Sequence, residues 1–264
     1  MKKRFLGGII FSFLFAAAVQ GYAQELSVDQ IVEKANRAAY YAGKDGLADV
    51  RMTITDAQGR VRSRQFKIMR LTIATGGEQK FYVYFNEPAD VAQMTYMVWK
   101  NVGRDDDRWL YLPALDLVKR IAAGDKRSSF VGSHFVYEDV SGRSIHDDTH
   151  ELTQATDTYY KLKNIPNDPK GVEFSYYYIW IDKANFMPKK AEYYNSKDQL
   201  IRVIEAVEVK DIQGYPTVIQ SVTKDLERGG ETVMEFDNIR YDIGLTEDIF
   251  TERYLRQAPA QWIK

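Results

Sequence analysis

From residue 48 onward, apolar and polar residues alternate with a period of two, the spacing that sends successive side chains to opposite faces of an extended strand. Ala48, Val50, Met52 and Ile54 alternate with Asp49, Arg51 and Thr53, and the turn Asp56-Ala57-Gln58-Gly59 reverses the chain into a return strand over residues 61–73. In that return strand Phe66 and Ile68 share one parity while Met69, Leu71 and Ile73 share the other, which predicts a bulge near Ile68. Residues 79–85 and 94–100 read as strands apolar on both faces: Phe81, Val83 and Phe85 against Tyr82 and Tyr84, then Met94, Tyr96 and Val98 against Met97 and Trp99. A sheet covered on one side only shows cleaner alternation, so each face here is expected to be covered.

The same period continues to the C-terminus. Residues 107–112 form a strand that stops at Pro113, and residues 117–121 form a second short one. Residues 141–148 read as a polar loop, residues 158–162 as a strand and residues 164–169, with two prolines, as a breaker. Residues 172–181, holding Phe174, Tyr176, Tyr177, Tyr178 and Trp180, are the most aromatic strand, and residues 187–194, 200–210, 217–226 and 231–241 follow as a meander. Before all of these stands one helix over residues 28–40, with Ser27 as N-cap, Gln30 closing a capping box and Val28, Ile31, Val32, Ala35 and Ala39 on one face. Residues 246–255 suit one or two helical turns. Frequent turn signals without a βαβ rhythm indicate antiparallel pairing of about ten or eleven strands. So large a sheet must curl or close to bury its apolar side.

Composition narrows the setting. Residues 1–23 have a basic start at Lys2, Lys3 and Arg4, an apolar run over residues 5–19 and a small-x-small site at Gly21-Tyr22-Ala23, the layout of a secretory signal cleaved near Ala23. The apolar run is shorter than the ~20 residues of a spanning helix. Residues 24–264 then form one mature domain, expected in the periplasm of a Gram-negative host. With no cysteine there is neither a disulfide nor a cysteine for lipid attachment. A formal net charge of −1 argues against a nucleic-acid partner held by phosphate neutralisation.

Candidate chemistry is sparse. His146 and His150 have metal-like spacing but lie between a loop and a strand-patterned run, with no third ligand evident. His134 has no nucleophile motif beside it. Asp105, Asp106 and Asp107 lack the glycine-bearing loop and terminal acid of a calcium hand. Glu138 and Asp139 point to opposite faces if they lie on a strand, and Arg60, Arg62 and Arg64 suit an exposed strand face. No catalytic residue, cofactor or metal is therefore expected.

One stretch is distinctive. Asp107-Arg108-Trp109-Leu110-Tyr111-Leu112-Pro113-Ala114-Leu115, Lys119-Arg120-Ile121, Ser129-Phe130-Val131-Gly132-Ser133 and Phe135-Val136-Tyr137-Glu138-Asp139 follow one another at fixed spacing. Together they resemble the core signature of the outer-membrane lipoprotein-sorting protein family, the periplasmic carriers similar to LolA and LolB. The family usually has an acidic residue where this chain has His134, and more often Met at Val131. The resemblance implies a mainly β fold, a half-open antiparallel barrel with an N-terminal helix and a short helical lid. It further implies a monomeric, non-enzymatic carrier of the acyl chains of a lipoprotein or lipid. Such a carrier is loaded by an inner-membrane transporter of the ABC or RND type and unloaded onto an outer-membrane acceptor.

Strand parity then selects Val50, Met52, Phe81, Val83, Met94, Tyr96, Trp109, Tyr176 and Tyr178 as cavity lining. Phe130, Val131, Gly132, Phe135 and Tyr137 are the candidate lid. Two other readings stay open: a periplasmic accessory protein of an envelope exporter that carries nothing, and a hydrolase using His134 or the His146/His150 pair.

Overall fold

Thirteen strands form one antiparallel sheet in the computed structural model, which describes residues 25–74 and 76–263. The signal sequence expected over residues 1–23 lies outside the described residues. The first meander comprises β1 (Asp45–Asp56), β2 (Val61–Thr72), β3 (Gln79–Glu87), β4 (Thr95–Lys100), β5 (Asp107–Leu112) and β6 (Leu117–Ile121). The second comprises β7 (Asp148–Ala155), β8 (Tyr159–Pro166), β9 (Tyr176–Asp182), β10 (Pro188–Tyr194), β11 (Leu200–Ile212), β12 (Tyr215–Asp225) and β13 (Gly230–Tyr241). Each strand pairs with its neighbour in sequence, except that β1 pairs with β13 and that β6 and β7 are the two edges. The sheet is mainly β and not closed, a half-open barrel. Residues 122–147 run from one edge to the other and cross its concave side.

Alternation produces two faces, and both are covered in the first meander. Val50, Met52, Phe66, Phe81, Val83, Phe85, Tyr96 and Leu110 face the concave side, where Phe130, Phe135 and Tyr137 of the crossing segment pack on them. Met69, Leu71, Tyr82, Met97 and Trp109 face the convex side and are covered by Leu245, Ile249, Phe250 and Leu255. The covering segment holds a 3-10 turn at Glu247–Phe250 and the helices α3 (Glu252–Arg256) and α4 (Ala260–Ile263). Sheet side chains satisfy its carbonyls: Tyr82 Oη donates to Tyr254 O at 2.6 Å, Thr95 Oγ1 to Leu255 O at 2.7 Å and Trp99 Nε1 to Phe250 O at 2.8 Å. Asp45 anchors its start by accepting from the backbone N–H groups of Ile243, Gly244 and Leu245 at 2.8–3.1 Å.

The long helix α1 (Val28–Tyr40) carries the expected capping box, with Ser27 Oγ accepting from Gln30 N at 3.2 Å and Gln30 Oε1 accepting from Ser27 N at 2.9 Å. Its buried face, Ile31, Val32 and Ala35, packs on Leu162 and Ile181 of the second meander. A five-residue helix, α2 (Tyr137–Ser141), ends the crossing.

Three expectations need correction. The sheet has thirteen strands rather than about ten or eleven. In particular, β7 was not expected, because an edge strand needs little apolar alternation, and β8 extends through Asn164 and Ile165 to Pro166, which stands at the last position of the strand. No bulge occurs at Ile68: β1 and β2 pair without interruption from Asp45↔Leu71 to Thr55↔Val61, and the shift against β3 falls at Gln65/Phe66. Phe66 and Met69 differ in parity because each serves a different covered face.

Phe250 has no exposed surface. Its replacement by alanine leaves a cavity on the convex face and is expected to cost about 3–5 kcal/mol in urea unfolding. Val207→Ala, at a position 53% exposed, changes stability by no more than about 0.5 kcal/mol.

Candidate functional site

A cavity of about 480 Å³ opens on the concave side between α1, the crossing segment and the inner faces of the strands. Its wall is mostly aliphatic and aromatic, because the second meander turns its smaller inner residues toward it. Ile179 and Ile181 of β9, Ala191 of β10 and Ile204 and Ala206 of β11 face α1, whose Val32, Ala35 and Ala39 form the opposite side. Phe66, Phe81, Val83, Met234 and Phe236 continue the wall toward the first meander.

The polar groups on the wall are largely neutralised in place. Arg127, Asp139, Arg143, His150 and Asn164 reach it at the end beside the crossing segment. Arg127 pairs with Glu138 at 3.0 Å and with Glu173, while Arg143 pairs with Asp148 at 2.8 Å and Glu138 at 3.4 Å. Asp148 also accepts from Tyr177 Oη at 2.8 Å. Burial, with Asp148 next, raises the Tyr177 phenol well above its ordinary pKa, and burial partly offset by Arg202 pushes the Tyr193 phenol up to about 12. Both of these phenols therefore stay neutral at physiological pH.

The same ion pairs hold the crossing segment down. Glu138 is 2% exposed and is surrounded by Lys126 at 3.1 Å, Arg127 and Arg143. Burial opposes its ionisation, but the three cations outweigh burial and hold the carboxyl below its ordinary value. Asp139 pairs with Arg202 of β11, and Lys100 Nζ of β4 donates to Ser141 O at 2.6 Å. Burial pushes Lys100 down to about 8, against the opposing pull of Asp106 and Glu138. At the centre of the crossing, Val131 (φ 49°) and Gly132 (φ 76°) make a left-handed turn. Of the two, the β-branched valine is strained there. This turn drives Phe130 into the cluster of Phe66, Phe85, Tyr96 and Tyr137, at ring-centre distances of 5.4–6.3 Å.

The residues selected by parity separate into three groups. Phe81 and Val83 lie on the cavity wall, as do Phe130 and Phe135 of the crossing segment. Val50, Met52 and Tyr96 are buried in the cluster beneath Phe130, with Met94, Val131 and Tyr137 packed into or against it, so they fill the concave side rather than line open space. Trp109 faces the convex side, edge-on to Trp99 at 5.0 Å. Tyr176 and Tyr178 are placed on the outer face with Trp180 and Tyr194, where Lys163 lies over Tyr176 at 4.5 Å and Lys161 over Tyr178 at 4.1 Å. The inner residues of β9 have the opposite parity: Tyr177, Ile179 and Ile181. Lys161 and Lys163 of β8, paired with Trp180 and Tyr178 across the ladder, are the signal that marks the outer face.

Two of the three histidines, His134 and His150, are occupied locally. His134 Nδ1 lies 2.8 Å from Thr232 Oγ1, and His150 lies 2.6 Å from Asn164 Oδ1 and 2.7 Å from Ile145 O through its two ring nitrogens. Among the described residues no three histidines, cysteines or acids cluster as metal ligands.

A protein-family model described as that of an uncharacterized protein matches residues 77–257. No curated protein matches the chain. Among solved structures, the chain is similar to a DUF1329 family protein from Desulfovibrio piger, at 29% identity and a TM-score of 0.78, over 86% of this chain and 97% of that one. It is also similar to a Vibrio parahaemolyticus domain assigned to outer membrane lipoprotein sorting, at 28% identity and a TM-score of 0.77 over the same shares. A LolA superfamily protein from Nitrosomonas europaea shares the fold, with 19% identity and a TM-score of 0.66 over 87% of this chain and all of that one.

Glu138→Gln removes the carboxylate that Lys126, Arg127 and Arg143 share and leaves them Asp147, Glu173 and Asp148, and is expected to destabilise the protein by about 1.5–3 kcal/mol in chemical denaturation at neutral pH. Because the folded pKa of Glu138 is depressed, its contribution is present above the ordinary carboxylate pKa of about 4.3 and is lost as pH falls through the lower folded value. Unfolding curves between about pH 5 and pH 3 should therefore show a smaller loss of stability in the variant than in the parent.

Proposed function

We propose that this chain, which belongs to the DUF1329 family of LolA-like proteins, is a periplasmic carrier that shelters acyl chains between the inner and the outer membrane. The observation that carries the reading is the vacant apolar cavity under α1. Removing one methylene from a bilayer into water costs about 0.8 kcal/mol, so a long-chain lipid does not leave a membrane unless an equivalent environment replaces it. A wall mostly of isoleucine, alanine, valine and phenylalanine, with the charges beside the crossing segment paired, is such an environment. The name given to the Vibrio relative supports the same direction, and so does the secretory layout of residues 1–23. In this reading an inner-membrane transporter of the RND or ABC type supplies the cargo and an outer-membrane acceptor of higher affinity withdraws it, so the carrier itself needs no catalytic group.

A second reading, an accessory protein that docks on an envelope exporter, is favoured by the outer strip of Tyr176, Tyr178, Trp180 and Tyr194 with its lysines. Filling the cavity separates the two. Ala191→Trp and Ala206→Trp, at cavity-lining positions on β10 and β11, are expected to weaken displacement of a fluorescent fatty acid at least tenfold while leaving the thermal midpoint within a few degrees. If the parent protein takes up no fatty acid, the carrier reading falls and the accessory reading stands.

A further inference from the structure

The concave side is not uniformly hollow. Beneath the crossing segment, Phe66, Phe85, Tyr96, Phe130 and Tyr137 close on one another, and each is at most 7% exposed. Open space is left beside it, along α1, the inner faces of β9 to β13 and the adjoining parts of β1 to β3, and it amounts to about 480 Å³. Pockets of roughly 300–1,000 Å³ each take one drug-sized ligand, so a volume of about 480 Å³ suits one long acyl chain. Three acyl chains of the same length need about three times the space. Gaining it would require Phe130 to withdraw, and with it a segment tied to the sheet through Asp139–Arg202, Arg127–Glu173 and Lys100 with Ser141 O.

Resting on the carrier reading above, we infer that the cargo is a single-chain amphiphile, a free fatty acid or a lysolipid, and not a triacylated lipoprotein. One chain lies along α1 against Ile179, Ile181 and Ile204. The alanines Ala35, Ala39, Ala191 and Ala206 keep the slot wide enough for a chain, and the aromatic cluster sets its closed end.

The test uses the delipidated mature protein and four probes below their micellar concentrations: palmitic acid, palmitoyl lysophosphatidylcholine, dipalmitoyl phosphatidylcholine and a synthetic tripalmitoylated cysteinyl peptide. Stoichiometry is read by native mass spectrometry and affinity by displacement of a fluorescent fatty acid. The expected result is one palmitate or one lysolipid per protein and at least tenfold weaker binding of the diacyl and triacyl probes. In a series of fatty acids, affinity should rise about fourfold per added methylene and level off once the chain is longer than the cavity. Two or more palmitates per protein, or triacyl peptide bound as tightly as palmitate, would overturn the single-chain inference while leaving a carrier in place. Uptake of none of the four would remove the carrier reading, and the inference with it.

Discussion

The pairing of β1 with β13 is the constraint on which the rest of the structure depends. It joins two meanders whose paired residues lie nearly the whole described chain apart, from Gly46↔Tyr241 to Asp56↔Gly230. Closing so long a loop costs roughly 5 kcal/mol in chain entropy, and a ladder of main-chain hydrogen bonds together with inner pairs such as Val50↔Phe236 and Met52↔Met234 outweighs it. Gly230 is required at the end of this joint. Its φ is 102°, and a Cβ there would sit 2.5 Å from Thr55 O and 2.8 Å from His134 Nε2. Through this glycine the joint also fixes how the crossing segment comes down onto β13, where Thr232 holds His134.

Joined in this way, the meanders serve different ends. The first is a three-layer structure, with the crossing segment on its concave side and the C-terminal segment on its convex side, so apolar residues on both faces are consumed by packing. The second is covered on its concave side mainly by α1, with the crossing segment touching it at one end, and a hollow remains beside the helix. Its other face carries lysines over tyrosine and tryptophan rings, a surface that meets water without a cover. The buried ion pairs lie at the border between the two. Removing one partner from such a pair leaves a desolvated charge, so Glu138 and Asp139 tolerate few alternative positions of the crossing segment. They decide where the filled part of the trough ends.

This arrangement explains why the strands were legible and the lining was not. The hairpins β1 to β6, the meander β10 to β13, the α1 capping box and the helical turns over residues 246–255 all rest on signals between near neighbours, and each was readable as a period, a turn or a cap. Strands apolar on both faces pointed correctly to two covers. The same feature led Val50, Met52, Met94 and Tyr96 to be read as lining, whereas two covers leave no vacancy. The hollow lies beside strands whose inner residues are inconspicuous, such as Ala191 and Ala206, while the conspicuous Tyr176 and Tyr178 face outward.

The sequence by itself determined the extended segments, their antiparallel rhythm, the helix that starts the described chain and the likeness to a carrier family through residues 107–139. Those properties reside in spacing, and spacing is preserved in any arrangement of the strands. Only the tertiary structure decided which parity of β9 faces inward, which half of the trough is filled and where the two edges lie. An alternating strand defines two faces without assigning either to the inside. That assignment comes from what covers each face, and here the covers, α1, the crossing segment and the C-terminal segment, come from parts of the chain remote from the strands they cover.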